Sequence, residues 1–84
     1  MITVRVRYFA SLRESLGPGE TVSAAPGSTV LDLREALIAR GSPYADVLAR
    51  GRAVRCALDQ LMCDERAVLA DGAELAFFPP VTGG

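Results

Sequence analysis

One segment of this chain has helical periodicity strong enough to decide its architecture. In "PGSTVLDLREALIARG", Val30, Leu33 and Leu37, joined by Leu31 and Ile38, form one apolar stripe at three- and four-residue spacing, with polar residues opposite. A helix with a single apolar stripe needs one apolar surface to cover it. The rest of the chain offers only short segments of period two, so that surface must be a sheet. The economical packing is one main helix laid across one sheet face. The helix ends are marked as well. Ser28 or Thr29 can cap the N-terminus, and Asp32 stands three residues after Thr29, near the positive end of the helix dipole. Arg40 and Gly41 read as a last-turn cation and a C′ glycine.

The strands follow from alternation. "ITVRVRYF" puts Ile2, Val4, Val6 and Tyr8 on one face and Thr3, Arg5 and Arg7 on the other. "ASLRESLG" reads as a short helical turn stopped by Gly17, Pro18 and Gly19, and "ETVSAA" as a second strand antiparallel to the first. "SPYADVLARG" reads as a shorter helix with Ser42 as cap, Pro43 at its first position and Gly51 as its stop. "AVRCAL" and "LMC" form a hairpin about Asp59-Gln60. "DERAVLADG" is a loop with a turn at Asp71-Gly72. "AELAFF" is the last strand, with Leu75 and Phe77 on one face and Ala76 and Phe78 on the other. The expected order is β-β-α-(α)-β-β-β, an α+β domain of 84 residues without linker or repeat.

Composition removes several function classes. The nine cations are all arginines, scattered along the chain against ten acids, for a net charge of −1. No basic patch is available for phosphates, so no nucleic-acid partner is expected. No apolar run approaches the roughly 20 residues that span a bilayer, and "MITVRVRYFA" alternates rather than forming a signal segment. No membrane association is expected, and the expected location is cytoplasmic. The chain has neither His nor Lys. Its remaining titratable groups fall into no recognisable acid–base pair, so a self-contained enzyme is not expected. Cys56 and Cys63, six residues apart with no His, do not match a zinc site. They read as small strand residues, with a bridge between neighbouring strands as the alternative. No metal and no bound cofactor is expected. "RVR" at 5–7 and "DE" at 64–65 read as solvated faces.

The chain ends on "FFPPVTGG". Pro79 and Pro80 remove two backbone donors and bias the chain toward extended geometry, so the last strand must stop at Phe78. Two units are expected: a domain over 1–78 and an extended, flexible tail over 79–84. The tail reaches roughly 20 Å when fully extended. Val81 and Thr82 are stiff, whereas Gly83 and Gly84 carry no side chains, so a partner's tunnel can close around their backbone. The reactive group at the tip is then the α-carboxylate of Gly84.

The tail "ELAFFPPVTGG" and the start "VRYFASLRESLG" resemble the molybdopterin synthase small-subunit family, sulfur carriers of the ubiquitin-like class that also includes the thiamine sulfur carrier. The resemblance spans the whole chain. It implies a β-grasp, ubiquitin-like fold with a mixed five-stranded sheet. It implies that an E1-like enzyme uses ATP to adenylate Gly84, which then becomes a thiocarboxylate. It further implies that the tail inserts into the large, catalytic synthase subunit of a heterotetramer, where sulfur passes to cyclic pyranopterin monophosphate to make the molybdopterin dithiolene. The carrier itself would supply no catalytic side chain, which agrees with the absent His and Lys. A surface without Lys would also offer an activated tip no side-chain amine to acylate.

The same resemblance places the partner-binding surface at Phe9, Met62 and Phe78 with the tail residues Pro79, Pro80, Val81, Thr82 and Gly83. The alternation of "YF" and "FF" independently sends one aromatic of each pair away from the core. A competing placement puts one of each pair beneath the "ASLRESL" turn. Two other functions remain compatible with a Gly-Gly end: a ubiquitin-like modifier joined to target lysines, and a carrier for another pathway of the thiamine type. A third reading is a β-grasp interaction module with an inert tail.

Overall fold

A computed structural model describes residues 1–80. Its elements are β1 (Ile2–Tyr8), α1 (Ala10–Leu16), β2 (Gly19–Ala24), α2 (Val30–Ile38), α3 (Tyr44–Val47), β3 (Arg55–Leu58), β4 (Leu61–Cys63) and β5 (Glu74–Phe78). Among the described residues, the five strands form one sheet in the order β2-β1-β5-β3-β4. β1 pairs antiparallel with β2 and parallel with β5, and the other pairs are antiparallel. The sheet is therefore mixed, and the first and last strands lie side by side in its middle.

The period-two reading of β1 is borne out residue by residue. Val4, Val6 and Tyr8 are buried, while Thr3, Arg5 and Arg7 are exposed. Leu75 and Phe77 of β5 join them, and the Tyr8 and Phe77 rings stack with centroids 6.4 Å apart. Helix α2 covers this inner face with Val30, Leu33 and Leu37, completing one core cluster with Leu12, Leu48 and Leu69. Thr29 caps α2 as expected. Its Oγ1 accepts from the Asp32 amide at 3.2 Å, and Asp32 Oδ2 accepts from the Thr29 amide at 2.9 Å, a reciprocal capping box.

Three local expectations need correction. Arg40 does not act on the end of α2. Its guanidinium instead reaches Glu20 on β2 at 2.6 Å and the Tyr44 hydroxyl at 3.2 Å. Ser42 does not cap α3; Pro43 is the N-cap residue, no side chain caps the helix, and the helix ends at Val47 rather than running to Gly51. Glu65 is not merely solvated, because it pairs with the buried Arg34 at 2.8 Å. For Arg40 and Glu65 a distant partner outcompetes a local role, which sequence spacing does not show.

Two turns set the strand registers. Asp59 and Gln60 both have positive φ, 48° and 70°, as a two-residue type I′ hairpin requires. Asp59 tolerates this because it is tied to β5, through its amide to Glu74 O at 2.9 Å and through its Oδ1 from the Glu74 amide at 3.0 Å. Gly19 opens β2 where a Cβ would collide with the Val6 carbonyl, so only glycine lets β2 approach β1 there. Among the described residues no helix is long and apolar enough to cross a membrane.

Candidate docking face and tail root

The outer face of the sheet, opposite α2, gathers the three predicted docking side chains. The cross-strand register aligns Arg7, Ala76, Ala57 and Met62 in one row across β1, β5, β3 and β4. The next row holds Phe78 opposite Arg55. The Phe9 amide continues the β1–β5 ladder by donating to Phe77 O at 3.1 Å, which sets Phe9 beside Phe78. Phe9, Met62 and Phe78 thus share a face, although they come from three distant parts of the chain.

Their exposure differs. Met62 is 61% exposed and Phe9 38%, while Phe78 is half-buried. Neither aromatic of the outer face belongs to the core cluster. Ala10 supports this arrangement with a φ of 53°, a conformation unfavourable for a residue with a Cβ. It turns the chain from β1 into α1 directly after Phe9. The Arg7 guanidinium lies 5.5 Å from the centre of the Phe9 ring, and it stands 3.9 Å from Glu74, so the aromatic sits inside a charged border. Sequence reasoning missed Ala57 and Ala76, whose small side chains let the row between Arg7 and Met62 stay flat. Only the register reveals them.

β5 ends at Phe78, directly before the two prolines, as expected. Pro79 and Pro80 are half-buried and line two separate depressions. Pro79 borders one with Leu12, Val47 and Arg52. Pro80 borders an open one of about 380 Å³ with Arg55, Cys56, Met62 and Cys63. Val81, Thr82, Gly83 and Gly84, and so most of the expected tail, lie outside the described residues.

Two polar clusters brace the domain behind this face, and sequence reasoning found neither. Arg34 of α2 is only 4% exposed. Its Nε donates to Leu48 O at 2.7 Å, its Nη2 to Ala49 O at 2.7 Å and Arg52 O at 3.2 Å, and its Nη1 to Glu65 at 2.8 Å. It therefore ties the loop after α3 to the segment after β4. The available signal was a cation one turn after Val30, set between Leu33 and Leu37. The second cluster centres on Glu20, which accepts from Tyr8 at 2.9 Å, Tyr44 at 2.8 Å and Arg40. Burial pushes the Glu20 carboxyl up, but the hydrogen bonds from Arg40, Tyr44 and Tyr8 outweigh it and hold the group below its ordinary value. Burial and the Glu20 carboxylate together raise the Tyr8 hydroxyl, so it stays protonated and donates. Among the described residues no group of three or more potential metal-ligating side chains occurs.

A mixed five-stranded sheet with one crossing helix, parallel central strands and a two-proline exit from β5 defines a ubiquitin-like β-grasp domain. The chain belongs to the ThiS family, whose sequence model matches residues 6–84. It is 40% identical over 81 residues to the molybdopterin synthase sulfur carrier subunit of Escherichia coli, covering 96% of this chain and 99% of that one. Among solved structures, it resembles a putative molybdopterin converting factor subunit 1 from Pyrococcus furiosus, with TM-score 0.80, 25% identity and coverage of 96% and 100%. It also resembles the small archaeal modifier protein 1 of Haloferax volcanii, with TM-score 0.79, 25% identity and the same coverage. A third likeness, with TM-score 0.69 and 25% identity, covers 99% of this chain and 100% of a chain in the complex of subunits 1 and 2 of the molybdopterin-converting factor from Helicobacter pylori.

Proposed function

We propose that this chain is the sulfur-carrier subunit of a molybdopterin synthase, with Gly84 as the carrying residue. The observation that supports it most is the 40% identity to a named sulfur carrier subunit over nearly the full length of both chains. The outer face with Phe9, Met62 and Phe78, next to the prolines that lead to the tail, supports docking onto a second protein. The complex of subunits 1 and 2 among the structural neighbours supports the same arrangement.

The chemistry divides between partners. A carboxylate is a poor electrophile, so an E1-like enzyme first activates it. The Gly84 carboxylate attacks the α-phosphorus of ATP and expels pyrophosphate. A persulfide sulfur then attacks the acyl adenylate and expels AMP, and a second thiol attacks the donor's sulfur in the resulting acyl disulfide, which leaves the thiocarboxylate and carries the donor off as a disulfide. Its sulfur is a far better nucleophile than a carboxylate oxygen. Docking of the outer face positions it against cyclic pyranopterin monophosphate in the large subunit, a gain by proximity rather than by any side chain of the carrier. Two loaded carriers supply the two sulfurs of the dithiolene.

Co-expression with an activating enzyme tests this reading. Intact mass is expected to show one oxygen replaced by sulfur at Gly84, and the loaded chain is expected to support dithiolene formation with a large subunit. A chain lacking Gly84 is expected to do neither. The likeness to an archaeal modifier protein favours a second reading, conjugation to lysines. Covalent adducts of whole chains on target proteins, in place of the sulfur exchange, would decide for it.

A further inference from the structure

Two thiols that sulfur carriage does not use face each other at the β3–β4 edge. Cys56 and Cys63 are direct cross-strand partners, and their Sγ atoms lie 3.6 Å apart. Directly opposed residues of an antiparallel pair have Cα atoms about 4.5–5.5 Å apart, within the span a disulfide bridges. The sulfurs must close by about 1.5 Å to reach bonding distance. β4 can give that much, because it is a three-residue edge strand held on one side only. The two thiols are unequal. Cys56 is 4% exposed and belongs to the core, and burial, with the Cys63 thiol second, pushes its own thiol up to about 12. Cys63 is half-buried and lines the open depression beside Pro80.

We propose that Cys56 and Cys63 form a dithiol site that low-molecular-weight disulfides oxidise reversibly to a cross-strand bond at the root of the tail. The inference stands independently of the carrier reading. Cys63, the more accessible sulfur, loses its proton to solvent and attacks one sulfur of the incoming disulfide. A mixed disulfide forms, and the first small thiolate leaves and takes up a proton. Cys56 then loses its proton, its sulfur attacks Cys63 Sγ, and the second small thiolate leaves and is protonated in turn. Two protein thiols are oxidised and one small disulfide is reduced to two thiols, so electrons and protons balance. Excess small thiol reverses both steps. The closed bond lies one residue from Met62 on β4, so the oxidised chain holds that hairpin in a single register. An oxidant thereby acts on the surface that flanks Pro80. Closure requires ionised Cys56, so it accelerates as pH rises toward that thiol's raised value.

The test treats the full chain, with an unmodified carboxylate end, with oxidised glutathione at mildly alkaline pH. Intact mass is expected to show loss of two hydrogens with no glutathione retained, both thiols vanishing together and returning with dithiothreitol. Cys56→Ser is expected to accumulate one glutathione per chain, and Cys63→Ser to react about tenfold more slowly. Wild-type chain that keeps both thiols free, holds glutathione without closing, or forms only interchain bonds would overturn the proposal, whatever the variants do.

Discussion

Phe77 and Phe78 are neighbours in β5, and they belong to different worlds. Phe77 is 1% exposed, stacked on Tyr8 and enclosed by the α2 stripe. Phe78, one residue on, lies half-buried on the open face beside Phe9 and opposite Arg55. The inner face is closed by many partners at once, whereas the outer face is level, bordered by charge and backed by two alanines. The same side chain therefore serves stability on one side of the pleat and is available for recognition on the other. The difference comes from the pleat alone, since a strand sends successive side chains to opposite faces.

The sharpest challenge to this contrast is Phe77→Ala. It should lower the free energy of unfolding by about 3–5 kcal/mol, a large share of what so small a domain holds. Denaturant titration reads this directly, and a loss below that of Phe78→Ala would reverse the assignment of the two faces. Next in size is Phe78→Ala itself. It should weaken binding to a molybdopterin synthase large subunit by about 2 kcal/mol or more while leaving the fold intact. Calorimetric titration with unchanged affinity would remove Phe78 from the docking face.

Smaller effects probe how the inner face is held. Thr29→Ala removes the reciprocal cap that starts α2, and should destabilise the fold by about 1 kcal/mol without altering docking. A melt equal to wild type would show that the cap is redundant with tertiary packing. The smallest effect is a pH dependence at Glu20. Its folded-state pKa lies below the ordinary 4.5, so its contribution is present above that value and disappears as pH falls through the lowered one. The stability gap between wild type and Glu20→Gln should therefore narrow in acid, as seen by denaturant midpoints from neutral pH downward. A gap that stays constant would mean that charge on Glu20 contributes nothing.

Much of the fold was legible because its signals are local. The alternation in "ITVRVRYF", the Thr29–Asp32 cap and the Asp59-Gln60 turn each depend on residues within a few positions of one another. Two of the misassignments share a cause. Arg40 and Glu65 were given local roles, but they answer to Glu20 and Arg34, at sequence separations of 20 and 31 residues. Arg34 itself was hidden inside an amphipathic stripe, where its charge reads as surface until the carbonyls of Leu48, Ala49 and Arg52 close around it. The docking residues were half legible. Alternation could say that Phe9 or Tyr8, and Phe77 or Phe78, must turn outward, but it could not say that the outward ones meet.

By itself, the sequence determined which segments are strands, which face of each is apolar, where the main helix begins and that β5 stops before two prolines. These are properties of short-range sterics and periodicity, which a chain carries before it folds. The tertiary structure alone decided that β1 and β5 lie parallel in the centre, that Phe9, Met62 and Phe78 converge, and that Cys56 meets Cys63. Strand order and register are set by burying all the apolar faces under one helix at once, a condition that no single segment contains.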